Sequence, residues 1–281
     1  MTNKIFFIAE IGINHNGSVK IAKNLIKMAK EVGFDAVKFQ KREPELCVPK
    51  EQRNILRDTP WGTMTYLQYR KKLEFGKNEY DEIDKYCRQL DIDWFASAWD
   101  LPSLKFLAQY DLKYNKIASP MITYKPLLEA VASEGRYTFI STGMSTWDII
   151  DTAVDIFREA GCPFMLMHSV SIYPCPEYLC NIRMIETLRK RYHCDVGYSG
   201  HEEGLIPSVL AVAHGASAIE RHITLDRAMW GTDQSASLER RGQELLIRDC
   251  KSVKLIQGSG NYKKIYDDEK KKIIQLRWWE K

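Results

Sequence analysis

The sequence lacks the features of secreted, membrane-spanning and nucleic-acid-binding proteins. Its seven cysteines are scattered and none form a CxxC pair, so neither a zinc ribbon nor a disulfide framework is predicted. No apolar run reaches the roughly 18 residues of a membrane span. The short apolar segment near the N-terminus ends in a carboxylate and lacks a signal-peptide layout. We therefore expect a protein of the reducing cytoplasm that does not enter a membrane.

The chain also lacks a large excess of either positive or negative charge. The chain has 41 basic and 37 acidic residues, a net charge of +4. No basic stripe is present, so nucleic acid is not an expected partner. Lys270, Lys271 and Lys272 fit a solvated helix face. There is no linker rich in proline, glycine or serine, and we expect one domain covering residues 1–281.

The sequence does contain short apolar, β-rich runs that alternate with stretches of helical periodicity. The predicted strands are Ile5–Glu10, Ala36–Gln40, Asp93–Ser97, Tyr114–Ile117, Thr138–Ser141, Phe164–His168, Asp195–Ser199 and Ala218–His222. Apolar residues between them recur every three or four positions, as in Val19–Val32 and Trp147–Ala160. Parallel βα units in this number favour a closed (β/α)8 TIM barrel. A doubly wound sheet is the alternative, but no GxGxxG opens a helix.

Two segments do not fit the βα repeat. An insertion at about 41–77 contains WGTMTYLQY, and long loops in compact domains are usually functional. We expect it near the mouth of the barrel, although a surface loop without a role is the alternative. A short basic C-terminal tail begins at about 259 and includes Trp278 and Trp279. These two residues are predicted to dock onto the barrel or onto another subunit.

Polar residues occur where the predicted strands end, which in a parallel barrel is the active-site face. Taken singly, a serine there caps a helix, a histidine is structural and a lysine lies at the surface. When all of these strand-end residues are considered together, they favour an anion-binding site beside a metal ion. The residues are Glu10, Lys38, Gln40, Ser97, Lys116, Ser119, Ser141, His168, Ser169, Ser171, Tyr173, Ser199, His201 and His222.

The residue types suggest what such a site would bind. Lys38 and Lys116 supply ammonium groups for a phosphate or a carboxylate, and serine hydroxyls donate without adding charge. His201 and His222 end consecutive strands, and neighbouring strands lie roughly 5 Å apart, so both imidazoles could bind one ion. Two imidazoles leave the shell incomplete, which Mn or Mg tolerates better than structural Zn. Zn with a third ligand stays open.

Seven motifs give a specific resemblance. In order they are AEIGINHNG, VKFQK, KIAS, ISTGM, SIYP, GYSGH and ERHITLD…GTDQSASLE. Between about Phe6 and Leu238 the chain resembles the sialic acid synthase family, which includes N-acetylneuraminate synthase and N-acylneuraminate-9-phosphate synthase. The resemblance implies metal-assisted condensation of phosphoenolpyruvate with an amino-sugar aldehyde, N-acetylmannosamine or its 6-phosphate. The products would be a nonulosonic acid and phosphate, released by C–O cleavage.

The resemblance also implies residue roles. Glu10 would handle protons, and His201 and His222 would hold Mn or Mg. A homodimer is the implied candidate assembly. The residues implied for phosphoenolpyruvate are Lys38, Ser97, Lys116, Ser119, Ser141 and Ser199, and those implied for the sugar are Gln40, Tyr173 and Asp233, with Ser171 and Asn14 as further substrate contacts.

The sequence departs from the family pattern at three points. Met121 stands where the family has a carboxylate, and Val170 where it has a hydroxyl. The chain is also expected to comprise the barrel alone, without the antifreeze-like domain of many members. Three alternative functions remain: a Schiff-base aldolase using Lys38 or Lys116, a 3-deoxy-sugar-acid synthase, and a non-enzymatic sugar-phosphate-binding barrel.

Overall fold

A closed barrel of eight parallel strands forms the centre of the protein. The computed structural model describes residues 4–258, 260–261 and 263–280. The first three residues of the N-terminal segment and positions 259, 262 and 281 of the predicted tail lie outside them. The predicted (β/α)8 fold is confirmed. The strands are β1 Phe6–Gly12, β2 Ala36–Lys41, β3 Leu56–Arg57, β4 Met64–Thr65, β5 Asp93–Ala98, β6 Tyr114–Ile117, β7 Tyr137–Ser141, β8 Phe164–Ser169, β9 Val196–Gly200 and β10 Ala218–His222. The barrel strands are hydrogen-bonded in the order β1-β10-β9-β8-β7-β6-β5-β2.

Helices cover the outside of the barrel. The first one shows why they form: Ser18 caps its N-terminus by accepting a hydrogen bond from the Ile21 amide, and Gly33 ends it with a φ of 102°. The helices are α1 Val19–Val32, α2 Pro44–Cys47, α3 Tyr66–Leu73, α4 Lys77–Leu90, α5 Leu101–Leu107, α6 Lys125–Ser133, α7 Trp147–Glu159, α8 Met184–Tyr192, α9 Ile206–Ala213, α10 Arg240–Ile256 and α11 Asp267–Leu276. None in the described part of the chain combines the length and hydrophobicity needed to cross a bilayer.

The core has two layers. The larger lies between the strands and the helices, where the apolar face of α1 presents Leu25 and Ile26. The smaller fills the barrel interior with Phe95, Phe139 and Met167. Because side chains alternate between the two faces of a strand, most barrel strands contribute to both layers, as β5 does with Trp94 and Phe95. The inner layer forms an apolar base, and polar side chains occupy the barrel above it.

The insertion between β2 and α4 folds back over the first βα loop. It holds α2, the short β3–β4 hairpin and α3. Tyr69 and Leu73 of α3 pack against Ile13 in that loop. This contact places α3 beside the C-terminal ends of the strands.

The C-terminal helix α11 presents no buried residue. Trp278 is 76% exposed and Trp279 is 64% exposed. The expectation that this pair docks onto the barrel is therefore wrong for the chain by itself. The two rings contact each other instead, at a centroid distance of 6.0 Å.

Candidate active site

The C-terminal ends of the barrel strands surround a cavity of about 300 Å³. All but one of the substrate, catalytic and metal-binding residues predicted from the sequence line it. They are Glu10, Lys38, Gln40, Ser97, Lys116, Ser119, Ser141, Ser171, Tyr173, Ser199, His201, His222 and Asp233.

Four charged side chains form the floor of the cavity, and all are almost inaccessible to solvent: Glu10, Lys38, Lys116 and Glu220. Lys38 Nζ lies 2.7 Å from Glu10 Oε2 and 3.6 Å from Glu220 Oε1. Lys116 Nζ lies 3.0 Å from Glu220 Oε2. Ser199 donates to the same carboxylate at 3.1 Å. Glu220 therefore bridges the two lysines.

Burial and charge give the two carboxylates opposite properties. Burial would raise the pKa of Glu220, but Lys116 and Lys38 outweigh it and lower that pKa to about 2. Burial raises the pKa of Glu10 to about 7, although the Lys38 ammonium opposes the shift. Burial also lowers the pKa of Lys116. Near neutral pH, Glu220 is ionised and Glu10 can exchange a proton, as an acid–base group requires.

A series of side-chain hydrogen bonds connects Glu10 to the mouth of the cavity. Gln40 donates to Glu10 Oε1 at 2.7 Å, and Arg42 Nη2 donates to Gln40 Oε1. Gln40 and Lys38 are two positions apart on β2 and thus share the inward face. At the end of β1, Gly12 adopts a φ of 53°, and a Cβ there would lie 3.0 Å from Glu10 Oε1. A glycine leaves room for this carboxylate.

The two predicted metal ligands lie side by side, with ring centroids 5.6 Å apart. His201 Nδ1 contacts the Val170 carbonyl at 2.7 Å, and its Nε2 contacts the Tyr173 hydroxyl at 2.8 Å. Burial, assisted by His222, lowers the pKa of His201 to about 4. Burial also lowers the pKa of His222. Both rings are thus neutral at pH 7 and keep a lone pair.

These rings could supply two ligands to a divalent metal. Donation by His201 Nδ1 to a backbone carbonyl would leave Nε2 as the ligating atom, the usual arrangement behind a metal-bound histidine, and the metal would then replace the hydrogen bond that Nε2 forms with the Tyr173 hydroxyl. His222 Nδ1 is buried without a hydrogen-bond partner, and Asp233 Oδ2 lies 3.8 Å from it. In the described residues, no group of three His, Cys, Asp or Glu side chains is arranged to hold a metal. Oxygen atoms of water or substrate would have to complete the shell.

Hydroxyl groups surround the charged floor. Ser97 and Ser169 each have a buried Oγ without a partner, so both can hydrogen-bond to a ligand. Gly143 lies against two more hydroxyls: an added Cβ would be 2.5 Å from Ser171 Oγ and 2.7 Å from Ser119 Oγ. No other residue type would fit there without moving them.

One predicted contact does not line the cavity. Asn14 is buried, and its amide donates to the Ile223 carbonyl and to Ser237 Oγ. It thus connects the first loop to the segment after β10. Met121, the first departure from the family pattern, also lies outside the cavity lining. At Val170, the second departure, the backbone carbonyl contacts His201.

Some cavity residues were missed. Glu220 is the main one, although its position two residues before His222 gives both the same inward face. Ser169 at the end of β8 also lines the cavity; the sequence predicted it among the polar strand ends but not as a substrate contact. The sequence offered no comparable signal for Arg42, Arg70 and Trp99, which lie at the cavity mouth.

Comparison with known proteins gives consistent matches. Residues 25–262 match the profile of the NeuB family. The N-acetylneuraminate-9-phosphate synthase of Drosophila melanogaster is 38% identical over 259 residues, covering 91% of this chain and 69% of the relative. The N,N'-diacetyllegionaminic acid synthase of Campylobacter jejuni is 33% identical over 280 residues, covering 98% and 83%.

Solved structures of enzymes also match this chain. The N-acetylneuraminic acid (sialic acid) synthetase of Leptospira borgpetersenii, in complex with citrate, superposes with a TM-score of 0.85 and 33% identity, covering 98% of this chain and 93% of that one. A truncated 3-deoxy-D-arabino-heptulosonate 7-phosphate synthase of Thermotoga maritima has a TM-score of 0.70 and 13% identity, covering 92% of this chain and 89% of that one. This second likeness concerns the fold alone.

Proposed function

This chain belongs to the NeuB family, whose matched relatives are synthases, and we propose that it condenses phosphoenolpyruvate with the open-chain form of an amino-sugar aldehyde. The product is a nonulosonic acid, and inorganic phosphate is released. The aldehyde is proposed to resemble N-acetylmannosamine. In this reaction, C3 of phosphoenolpyruvate bonds to the aldehyde carbon, whose oxygen gains a proton. Water adds to C2 and loses a proton, and the C2–O bond to phosphate breaks.

One observation carries the proposal: two buried lysines and two neutral imidazoles border the same cavity. Lys38 and Lys116 are each 3% exposed, so ligand charge placed beside them is weakly screened. Phosphoenolpyruvate offers a phosphate and a carboxylate, one for each ammonium group. An anion must compete with Glu220 for both lysines, and the hydroxyls of Ser97 and Ser169 compensate with unused hydrogen-bonding capacity.

The remaining residues act on the aldehyde and on protons. Glu10 exchanges a proton in ring opening of the sugar or with the attacking water, for which its raised pKa is suited. Gln40, Tyr173 and Asp233 face the sugar from the cavity mouth. The buried walls hold both substrates close, which reduces the entropic cost of joining them.

When bound by His201 and His222, a divalent ion such as Mn or Mg would polarise the aldehyde oxygen as a Lewis acid. Support comes from the unpartnered Nδ1 of His222 and from the neutral state of both rings. Water and substrate oxygens would supply the other ligands, consistent with a site that contributes two nitrogens.

Phosphate release tests the proposed function. The purified chain is incubated with phosphoenolpyruvate, Mn or Mg and a panel of aldoses: N-acetylmannosamine, its 6-phosphate, mannose 6-phosphate and a diacetamido sugar. We expect aldose-dependent phosphate release and a product mass equal to the sum of both substrates and water, less phosphoric acid. Absence of release with every aldose would refute the proposal.

The metal role has a separate test. We expect His222→Ala to abolish metal-dependent turnover while circular dichroism shows an intact fold. His214→Ala is the matched control, because His214 pairs with Glu186 at the surface. Calorimetric titration with Mn measures binding without turnover and should lose its signal only in His222→Ala. Full activity in excess chelator would contradict the metal role.

A Schiff-base aldolase is the second candidate, since burial lowers the pKa of Lys116 and an unprotonated amine is the nucleophile that such enzymes need. The 3.0 Å ion pair with Glu220 opposes it by favouring the ammonium form. Borohydride reduction in the presence of pyruvate should leave the chain mass unchanged. A covalent adduct on Lys116 or Lys38 would support the aldolase.

A further inference from the structure

A small side cavity adjoins the mouth of the active site. It has a volume of about 170 Å³ and shares Arg42, Arg70 and Trp99 with the central cavity. Pro44, Cys47, Val48 and Tyr66 complete its lining. Among the residues that the structure describes, the lining includes no carboxylate, and Asp100 lies behind Cys47, whose Sγ donates to its Oδ2 at 3.3 Å. The insertion between β2 and α4 supplies every lining residue except Trp99, which follows β5.

Two buried hydrogen-bond donors of this side cavity have no partner within the described part of the chain. They are Arg42 Nη1 and Trp99 Nε1. The Arg42 side chain is well buried, at 8% exposure for the residue, and its guanidinium carbon lies 3.7 Å from the centroid of the Trp99 ring. Stacking fixes the orientation of the planar guanidinium. Unpaired buried donors are costly, and an acceptor-rich ligand would relieve that cost.

These arginines also form no contact ion pair in the described part of the chain, although the charges of Glu74 and Asp233 act on Arg42 from farther away and oppose the lowering of its pKa. Among the described residues, no carboxylate oxygen lies within 4.0 Å of the guanidinium nitrogens of either Arg42 or Arg70. The nearby Glu74 accepts from the Arg42 backbone amide and pairs with Lys41 at 3.6 Å. Burial, and then the charge of Arg70, lower the pKa of Arg42 to about 10. The Arg42 guanidinium therefore stays charged at neutral pH, and the charge of Arg70 repels it.

Phosphoenolpyruvate has no need of this site, because Lys38 and Lys116 on the barrel floor can bind both of its anionic groups. The same cavity is lined by His201 and His222 and, at its mouth, by Arg42 and Arg70, so an aldose whose aldehyde lay at the imidazoles could extend towards the arginines. A sugar phosphate has its aldehyde at one end and a dianion at the other. Planar guanidiniums bind phosphate through paired hydrogen bonds.

We propose that Arg42, Arg70 and Trp99 form an anion subsite that binds the phosphate of a 6-phosphorylated aldose. This inference rests on the proposed function and selects among its aldoses. Three carbons from phosphoenolpyruvate would turn position 6 of the aldose into position 9 of the product. The Drosophila melanogaster relative is named N-acetylneuraminate-9-phosphate synthase, in agreement with a phosphorylated product.

The test compares kcat/KM for N-acetylmannosamine 6-phosphate with kcat/KM for N-acetylmannosamine. In the wild-type protein we expect a ratio of at least about 100, from charge-assisted bonds to one dianion. Arg70→Gln should lower this ratio about tenfold to a hundredfold. Arg42→Lys keeps the charge but loses the stacked plane and should lower the ratio as well. The control is Lys71→Gln on the same helix, whose Nζ pairs with Glu45 at the surface, and it should keep the wild-type ratio.

Calorimetry with N-acetylmannosamine 6-phosphate supplies a readout that needs no turnover. Weaker binding by Arg70→Gln than by Lys71→Gln supports the subsite, even if no aldose is turned over and the proposed function fails. A wild-type ratio near one would overturn the subsite while leaving the condensation intact. Equal losses for both sugars in Arg70→Gln would overturn it too, because the arginine would then act on something other than the phosphate.

Discussion

The two faces of strand β10 bury charge in contrasting ways. Arg221 faces outward and pairs with Glu202, with both side chains 0% exposed and Nη1 2.9 Å from Oε1. Glu220 faces inward between two lysines, at the floor of the central cavity. Successive residues of one strand thus contribute to two kinds of ion pair. We call the Arg221–Glu202 pair closed, because protein surrounds it, and the Glu220–lysine pairs open, because they border the cavity.

The difference lies in the space beside the buried groups, since the outer face also holds a donor without a partner in the described residues, Arg221 Nε, but that donor does not border the cavity. Glu202 also accepts from Tyr198 at 2.8 Å and from Ser208 at 3.1 Å. On the inner face, the hydroxyls of Ser97 and Ser169 are buried beside a cavity without partners. Burial of charge alone therefore does not identify a binding site. A binding site is indicated by buried charge together with hydrogen-bonding groups that have no partner and space for a ligand.

The largest expected effect is on the closed pair. Arg221→Met leaves the Glu202 carboxylate buried without its counter-charge, which should lower the free energy of unfolding by about 3–5 kcal/mol. Urea denaturation followed by circular dichroism measures this loss. The folded fraction should retain most of its turnover, because Arg221 does not line the cavity.

Two further variants keep this prediction testable if Arg221→Met does not fold. Glu202→Gln preserves the shape of the side chain and should cost less than Arg221→Met. The double variant Arg221→Met with Glu202→Leu removes both charges and should recover much of the stability, since apolar replacement of a buried pair is often neutral. A double variant less stable than Arg221→Met would contradict the closed-pair interpretation.

The matched change on the inner face should affect function more than stability. Lys116→Met removes one of two ammonium groups, and Glu220 keeps Lys38 at 3.6 Å and Ser199 at 3.1 Å. We expect kcat/KM for phosphoenolpyruvate to fall about 10²- to 10³-fold. The loss of unfolding free energy should be less than half of that in Arg221→Met under the same urea titration. Equal destabilisation by the two variants would erase the contrast between the faces.

The sequence predicted the barrel well because its signals are local. All eight barrel strands were located from apolar runs, and α1 and β6 have the predicted bounds. The tail was harder to predict, because the exposure of Trp278 and Trp279 depends on which surfaces are near, and local pattern does not encode that. The same limit applies to Asn14, whose partners Ile223 and Ser237 lie more than 200 positions away.

Within the candidate site, strand ends could be predicted but loops and pairings could not. Residues such as Lys38 and Ser199 follow from their positions at the ends of strands in a parallel barrel. Arg70 lies on a helix of the insertion, and long-range contacts bring that helix to the cavity, such as the packing of Tyr69 against Ile13 of the first βα loop. Glu220 could have been found by strand alternation. That it bridges two lysines follows from the closure of the barrel, which brings β10 opposite β6.

The smallest effect concerns Glu10, which can exchange its proton near neutral pH because burial raises its pKa to about 7. A general base acts when deprotonated, so kcat should fall as pH decreases through about 7, approaching tenfold per unit. Phosphate release at saturating substrates between pH 5.5 and 8.5 measures this limb. Glu10→Gln should lower kcat and flatten the limb, whereas Glu202→Gln in the closed pair should retain it. If the fall in kcat at low pH persisted in Glu10→Gln, another group would be titrating. Glu10 would then not be the acid–base group of the cavity.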